Sequence, residues 1–145
     1  MFKHILIPTD GSASSELAIE SAVRLAKDIG ARVTGLHVIA PFHVLTYRSD
    51  MLGATPAQYE ADSKLNAEKY LRTIEISARE QQVPCETLAV HAEDVYKAII
   101  QAAYDRQCDL IAMASHGHKG MSGVLLGSET NKVLTHSQTP VLVLR

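Results

Sequence analysis

The chain has 145 residues, 46% of them hydrophobic, and a formal net charge of −2 with both signs scattered along it. That length suits one domain that buries its own core without disulfides or metal; with no basic block, no Trp and only two Phe, a nucleic-acid partner is not expected. The apolar start Ile5-Leu6-Ile7 stops at Pro8, too short for a signal-peptide core or a membrane span, and Cys85 and Cys108 have no metal spacing, so a cytoplasmic chain with buried or half-buried thiols is expected.

Short β-branched runs alternate with longer helical patterns, which predicts βαβ units and a parallel sheet of the α/β class. The first strand covers residues 3–8 and ends at Pro8 and Asp10-Gly11. A helix over residues 13–29 follows, with Leu17, Ala18, Ala22, Leu25, Ala26 and Ile29 on its inner face. Ser12 reads as its N-cap, Glu16 lies in its first turn, and Gly30 ends it. The second strand is residues 32–39. The polar stretch 40–54 is long for a βα connection and reads as a lid, a mobile loop or a partner contact.

Thr55-Pro56-Ala57-Gln58 has the form of a capping box and opens a helix to about residue 82, with Ala67, Leu71, Ile74 and Ala78 inward. A third strand over 85–90 and a helix from about 93, burying Val95, Ile99 and Ala102, come next. The fourth strand, 109–114, is nearly all apolar, as a strand covered on both faces must be. A glycine-rich loop, a helix over 128–135 and a strand over 140–144 complete five strands and four helices. Right-handed crossovers put helices on both faces of the sheet, a three-layer sandwich, and direct ligands to the strand C-termini.

Segment 114–128, ASHGHKGMSGVLLGS, holds four of the eight glycines: Gly117, Gly120, Gly123 and Gly127. Glycines between a buried strand and a helix let backbone N–H groups reach an anion. Ser128 adds a hydroxyl, the helix start adds unpaired donors, and Lys119 supplies a cation. A surface loop with incidental glycines is the plainer alternative. Neither GxxxxGK[ST] nor GxGxxG after the first strand is present, so a P-loop and a Rossmann NAD site are both disfavoured. Asp10, at a strand C-terminus, suits a ribose hydroxyl, or else caps the turn before the first helix. His116 and His118 have chelating spacing but no carboxylate or Cys cluster beside them. His37 reads as a packed or partly exposed sheet residue, and Ser12, Ser14 and Ser15 as capping groups rather than nucleophiles.

These residues resemble the universal stress proteins. ATP-binding members carry Gly-x-x-Gly, nine residues, then Gly-Ser or Gly-Thr; here Gly117, His118 to Leu126 and Gly127-Ser128 match, while Ala114 stands at the first glycine. The opening KHILIPTDGS, the LHVI that ends the second strand and the closing TPVLVLR are also similar, so the resemblance runs end to end. It implies a Rossmann-like five-stranded parallel sheet of order 3-2-1-4-5. It further implies an ATP site, with or without Mg²⁺, in which AMP or ADP are alternatives. Pro8, Thr9 and Asp10 would face the nucleoside, Val38 and Met113 the adenine, and Gly117 the ribose and phosphate, with Ala114, Ser115, His116 and Gly120 in the same loop. Gly127, Ser128 and Glu129 would surround the phosphates. The implied function is nucleotide-dependent sensing or regulation under stress, with a nucleotide-free interaction module and a slow ATPase as alternatives. Without a Walker lysine or a dedicated magnesium aspartate, hydrolysis through Asp10, Lys119 and Ser128 would be weak at most. The resemblance also implies a homodimer through strand 140–144, an apolar edge in need of cover.

Overall fold

A computed structural model describes residues 1–42, 55–117 and 126–145. The strands are β1 (His4–Pro8), β2 (Arg32–Ile39), β3 (Cys85–His91), β4 (Leu110–Ala114) and β5 (Val141–Leu144). The helices are α1 (Ala13–Ile29), α2 (Pro56–Glu80), α3 (Val95–Asp105) and α4 (Ser128–His136). All strand pairs are parallel and the sheet order is β3-β2-β1-β4-β5, as expected.

Alternation along the strands divides the core in two. Ile5, Ile7, Val33, Leu110 and Ala112 face α1 and α2, where they meet Ile19, Val23, Leu71 and Ile74. Leu6, Leu36, Ile111 and Met113 face α3 and α4, against Ile99, Ala103 and Val133. Each fully buried Ile or Leu contributes about 2–3 kcal/mol of apolar burial, so the central strand β1 and its neighbour β4, buried along nearly all their length, anchor the molecule.

The local signals act as the sequence suggests. Ser12 accepts the Ser15 N–H at the start of α1, and Gly30 closes that helix in the left-handed region at φ 70°. Thr55 and Gln58 form a reciprocal capping box at α2. The inner stripe of α1 differs from expectation: Ile19 and Val23 are inside, while Leu17 is 62% exposed and Ile29 40%. Ser15 also faces inward and fixes the rotation of the helix, because its hydroxyl is bound at the end of β1.

Cys108 is buried and Cys85 half-buried, both as free thiols. Burial first, then nearby carboxylates, pushes each thiol up to about 11. No helix among the described residues is long and apolar enough to cross a membrane. Most of the 40–54 connection lies outside the described residues, and so does any lid there.

Candidate functional site

At the C-terminal end of β1, Thr9 is buried and its N–H bonds the Leu36 carbonyl at 2.8 Å, one rung beyond the paired strand residues. Asp10 follows. Its Oδ1 accepts the Ser12 N–H at 2.9 Å and the Ser15 hydroxyl at 2.7 Å. Its Oδ2 points elsewhere: a Cβ built on Gly117 would lie 2.1 Å from it. Asp10 thus braces the turn with one oxygen and meets the glycine-rich loop with the other. The capping role and the proposed ribose position belong to one carboxylate.

Ala114 is the last residue of β4, paired with Leu144. It has no positive φ, so a side chain is accommodated there without backbone strain. Ser115 continues the strand, its N–H donating to Leu144 O at 2.8 Å, while its hydroxyl meets His116 Nδ1 at 3.0 Å. The Ser115 carbonyl accepts the Gly127 N–H at 2.6 Å. Gly127 is the N-cap of α4 with extended backbone at φ −60° and ψ 150°. Glycine suits the close approach here: a Cβ would stand 3.0 Å from His116 Cα and 3.3 Å from Ser115 O, tighter than ordinary packing. Thr130, buried in the first turn of α4, donates its hydroxyl to Ala114 O at 2.8 Å and fixes the helix end against β4. The N-terminal end of α4 thus sits against Ser115 and His116, and helix geometry leaves its first N–H groups without an intrahelical acceptor.

Val38 and Met113 lie on the sheet face that meets α3 and α4, both in one apolar cluster, on β2 and β4 either side of β1. Pro8 ends β1. Ser128 is exposed as the first residue of α4. The structure brings the β1 turn, the end of β4 and the start of α4 into one chain of contacts. Gly120, His118 and Lys119 lie outside the described residues. Among the described residues no cluster of three metal-binding side chains occurs.

Glu129 turns neither over its own helix end nor simply to solvent. Its Oε2 accepts the Tyr96 N–H at 3.0 Å, and its Oε1 lies 3.4 Å from Lys132 Nζ. Tyr96 is in the first turn of α3, whose N-cap residue Asp94 makes no side-chain capping bond. Glu129 thus caps the neighbouring helix.

Sequence reasoning missed three supports: Thr130, His37 as a tether, and Tyr70. His37 Nδ1 lies 2.8 Å from Thr9 O. Its ring meets Tyr70 edge-on, with centroids 5.2 Å apart. Thr130 alone had a local signal, a hydroxyl two positions after Gly127-Ser128 in a helix's first turn.

Comparison with known proteins decides the family. The sequence model of the universal stress protein family matches residues 1–145. The chain belongs to the universal stress protein family. Universal stress protein YxiE of Bacillus subtilis is 32% identical over 149 residues, covering all of both chains. The solved structure of MJ0577 from Methanocaldococcus jannaschii superposes with a TM-score of 0.81 at 26% identity, covering 99% of this chain and 96% of that one. A universal stress protein from Archaeoglobus fulgidus, solved in complex with dAMP, shares the fold at 15% identity with a TM-score of 0.72, covering 100% and 98%. The strand order and layers described above are those of this family.

Proposed function

We propose that this universal stress protein binds an adenine nucleotide, ATP foremost, and acts as a nucleotide-dependent regulator in the stress response. The carrying observation is the crowded junction of Gly117 on the Asp10 carboxylate and Gly127 on the Ser115-His116 backbone. A side chain at Gly117 would have to displace the Asp10 carboxylate, one at Gly127 would press on the His116 backbone, and Gly127 is itself the N-cap of α4. An anion there gains backbone donors and the positive end of the helix dipole. Val38 and Met113 supply an apolar wall for a base, and Asp10 supplies an acceptor for ribose hydroxyls. The Glu129 carboxylate, engaged at α3, leaves the phosphate position to the amides. The dAMP bound by the Archaeoglobus fulgidus relative supports the ligand class.

Thermal melting with and without ATP·Mg²⁺ tests this, because a ligand held only by the folded state raises the melting temperature. At 100 times the dissociation constant the gain is about 2.7 kcal/mol, or several degrees. The wild type rises; Gly127→Asp, which drives a carboxylate into the His116 backbone, shows almost no rise. No rise in the wild type removes the nucleotide reading and leaves an interaction module. Phosphate release at about 1–1000 per second would make the protein an enzyme instead. Sedimentation of the same sample reads assembly: β5, partly exposed along its whole length, is where we place a second copy, and a monomer mass removes that part of the reading.

A further inference from the structure

We propose that His37 is a positioning residue: it pins the Thr9 carbonyl, and through it sets where Asp10 aims. The inference rests on the nucleotide reading for its binding consequences, and on geometry alone for the tether itself.

His37 lies on β2, next to Val38, but the two side chains leave opposite faces of the sheet. Val38 joins the α3–α4 cluster, whereas His37 meets Tyr70 of α2. His37 therefore does not line the proposed adenine wall; it works from behind. A carbonyl oxygen only accepts, so the 2.8 Å contact to Thr9 O requires the proton on Nδ1. Burial lowers the imidazole's pKa, against the opposing pull of the Thr9 carbonyl and of Asp10. The ring is thus a neutral Nδ1–H donor at neutral pH.

The consequence follows from peptide planarity. The Thr9 carbonyl and the Asp10 N–H belong to one rigid plane. His37 holds the carbonyl end, while the N–H end is directed to Ser15 Oγ at 3.5 Å, a weaker contact. With that plane fixed, and Thr9 N tied to Leu36 O, the Asp10 Cα is set in place, and the bonds from Ser12 N–H and the Ser15 hydroxyl settle the side chain on it. Oδ1 then reaches Ser12 and Ser15, and Oδ2 reaches the Gly117 side. Tyr70 completes the clamp: its ring packs edge-on to His37 and lies over Gly11, where a Cβ would come within 2.3 Å of Cε1. Rotation of the Thr9–Asp10 plane would carry the Asp10 carboxylate off the loop.

Asn and Leu have nearly the same shape, and only Asn keeps a donor near the position of Nδ1. Affinities of wild type, His37→Asn and His37→Leu are measured for ATP and for 2′,3′-dideoxy-ATP, which lacks the hydroxyls Asp10 would hold. Wild type and His37→Asn should prefer ATP by similar ratios. His37→Leu should weaken ATP roughly tenfold, with the ratio falling toward one. Equal losses for both nucleotides in His37→Leu, or an unchanged ratio, would overturn the proposal.

Nucleotide-free protein provides a second test that does not depend on the ligand. Amide exchange at Gly11 and Ser12, bonded to Thr9 Oγ1 and Asp10 Oδ1, should quicken in His37→Leu and stay slow in His37→Asn. Equal exchange in all three overturns the tether. If wild type binds no nucleotide while exchange behaves as stated, the nucleotide reading fails and the tether stands. Should His37→Leu not fold, ring ¹⁵N shifts of wild-type His37 decide: an Nδ1–H tautomer supports the tether and an Nε2–H tautomer overturns it.

Discussion

Gly11 sits at φ 79°, with the Tyr70 ring filling the space a side chain would take. Alanine there would carry about 1–2 kcal/mol of left-handed strain and would also displace the ring. Gly11→Ala should therefore lower the melting temperature by several degrees and shrink the stabilisation by ATP; unchanged values of both would show the turn to be slack. Gly117 and Gly127 stood out through the family resemblance, whose motif has that nine-residue spacing, and in the structure both are crowded positions with no positive φ. Ala114 was legible as a departure, and its place at the end of β4 explains why a methyl group is tolerated. His37 and Tyr70 were not legible as parts of the site. They meet the β1 turn only through the fold, 28 residues from Thr9 in one case, and no local pattern encodes such a contact.

At the scale of elements, caps and strand runs were readable because they act within a few residues. The inner face of α1 was not, since apolar residues nearly encircle that helix. Ser12 and Ser15 choose its rotation by bonding Asp10, and they leave Leu17 outside. The α3–α4 junction had no sequence signal either: Glu129 reaches 33 positions back to the Tyr96 N–H. A carboxylate on a helix's first-turn amide is a charge-assisted bond at the positive dipole end. Glu129→Ala should cost about 1 kcal/mol, by analogy with other lost N-caps. Amide exchange at the start of α3 should quicken, and that in α2 should stay unchanged. An identical melting curve with unaltered exchange at Tyr96 would show the bond to be idle.

At the scale of the molecule, alternating strands and helices predicted the α/β class, while the strand order came from family resemblance, because parallel pairing leaves no local mark. Stability against pH is a property of the whole fold. His4 is buried, its Nε2 lying 2.6 Å from Thr34 Oγ1, and Thr34 donates onward to Glu86 at 3.0 Å. Burial, then Arg32, lowers the pKa of His4, and burial lowers that of His37, from the ordinary 6.5. A depressed folded pKa means that the stability is complete above the unfolded value and is lost as pH falls through the folded one. The melting temperature should be level from about pH 7 to 8 and fall on acidification below about pH 6.5. Asp109 adds a second loss lower down: burial opposes its charge, but the N–H groups of His4 and Lys3 outweigh that and hold its pKa below 3.8. A melting temperature that rises between pH 6.5 and 5 would contradict this account. The cysteines bear on another kind of challenge. The sulfur anion is the form that attacks peroxide, and with both thiols raised to about 11 only about one in ten thousand is ionised at neutrality. Cys85 and Cys108 are therefore poor reporters of oxidants.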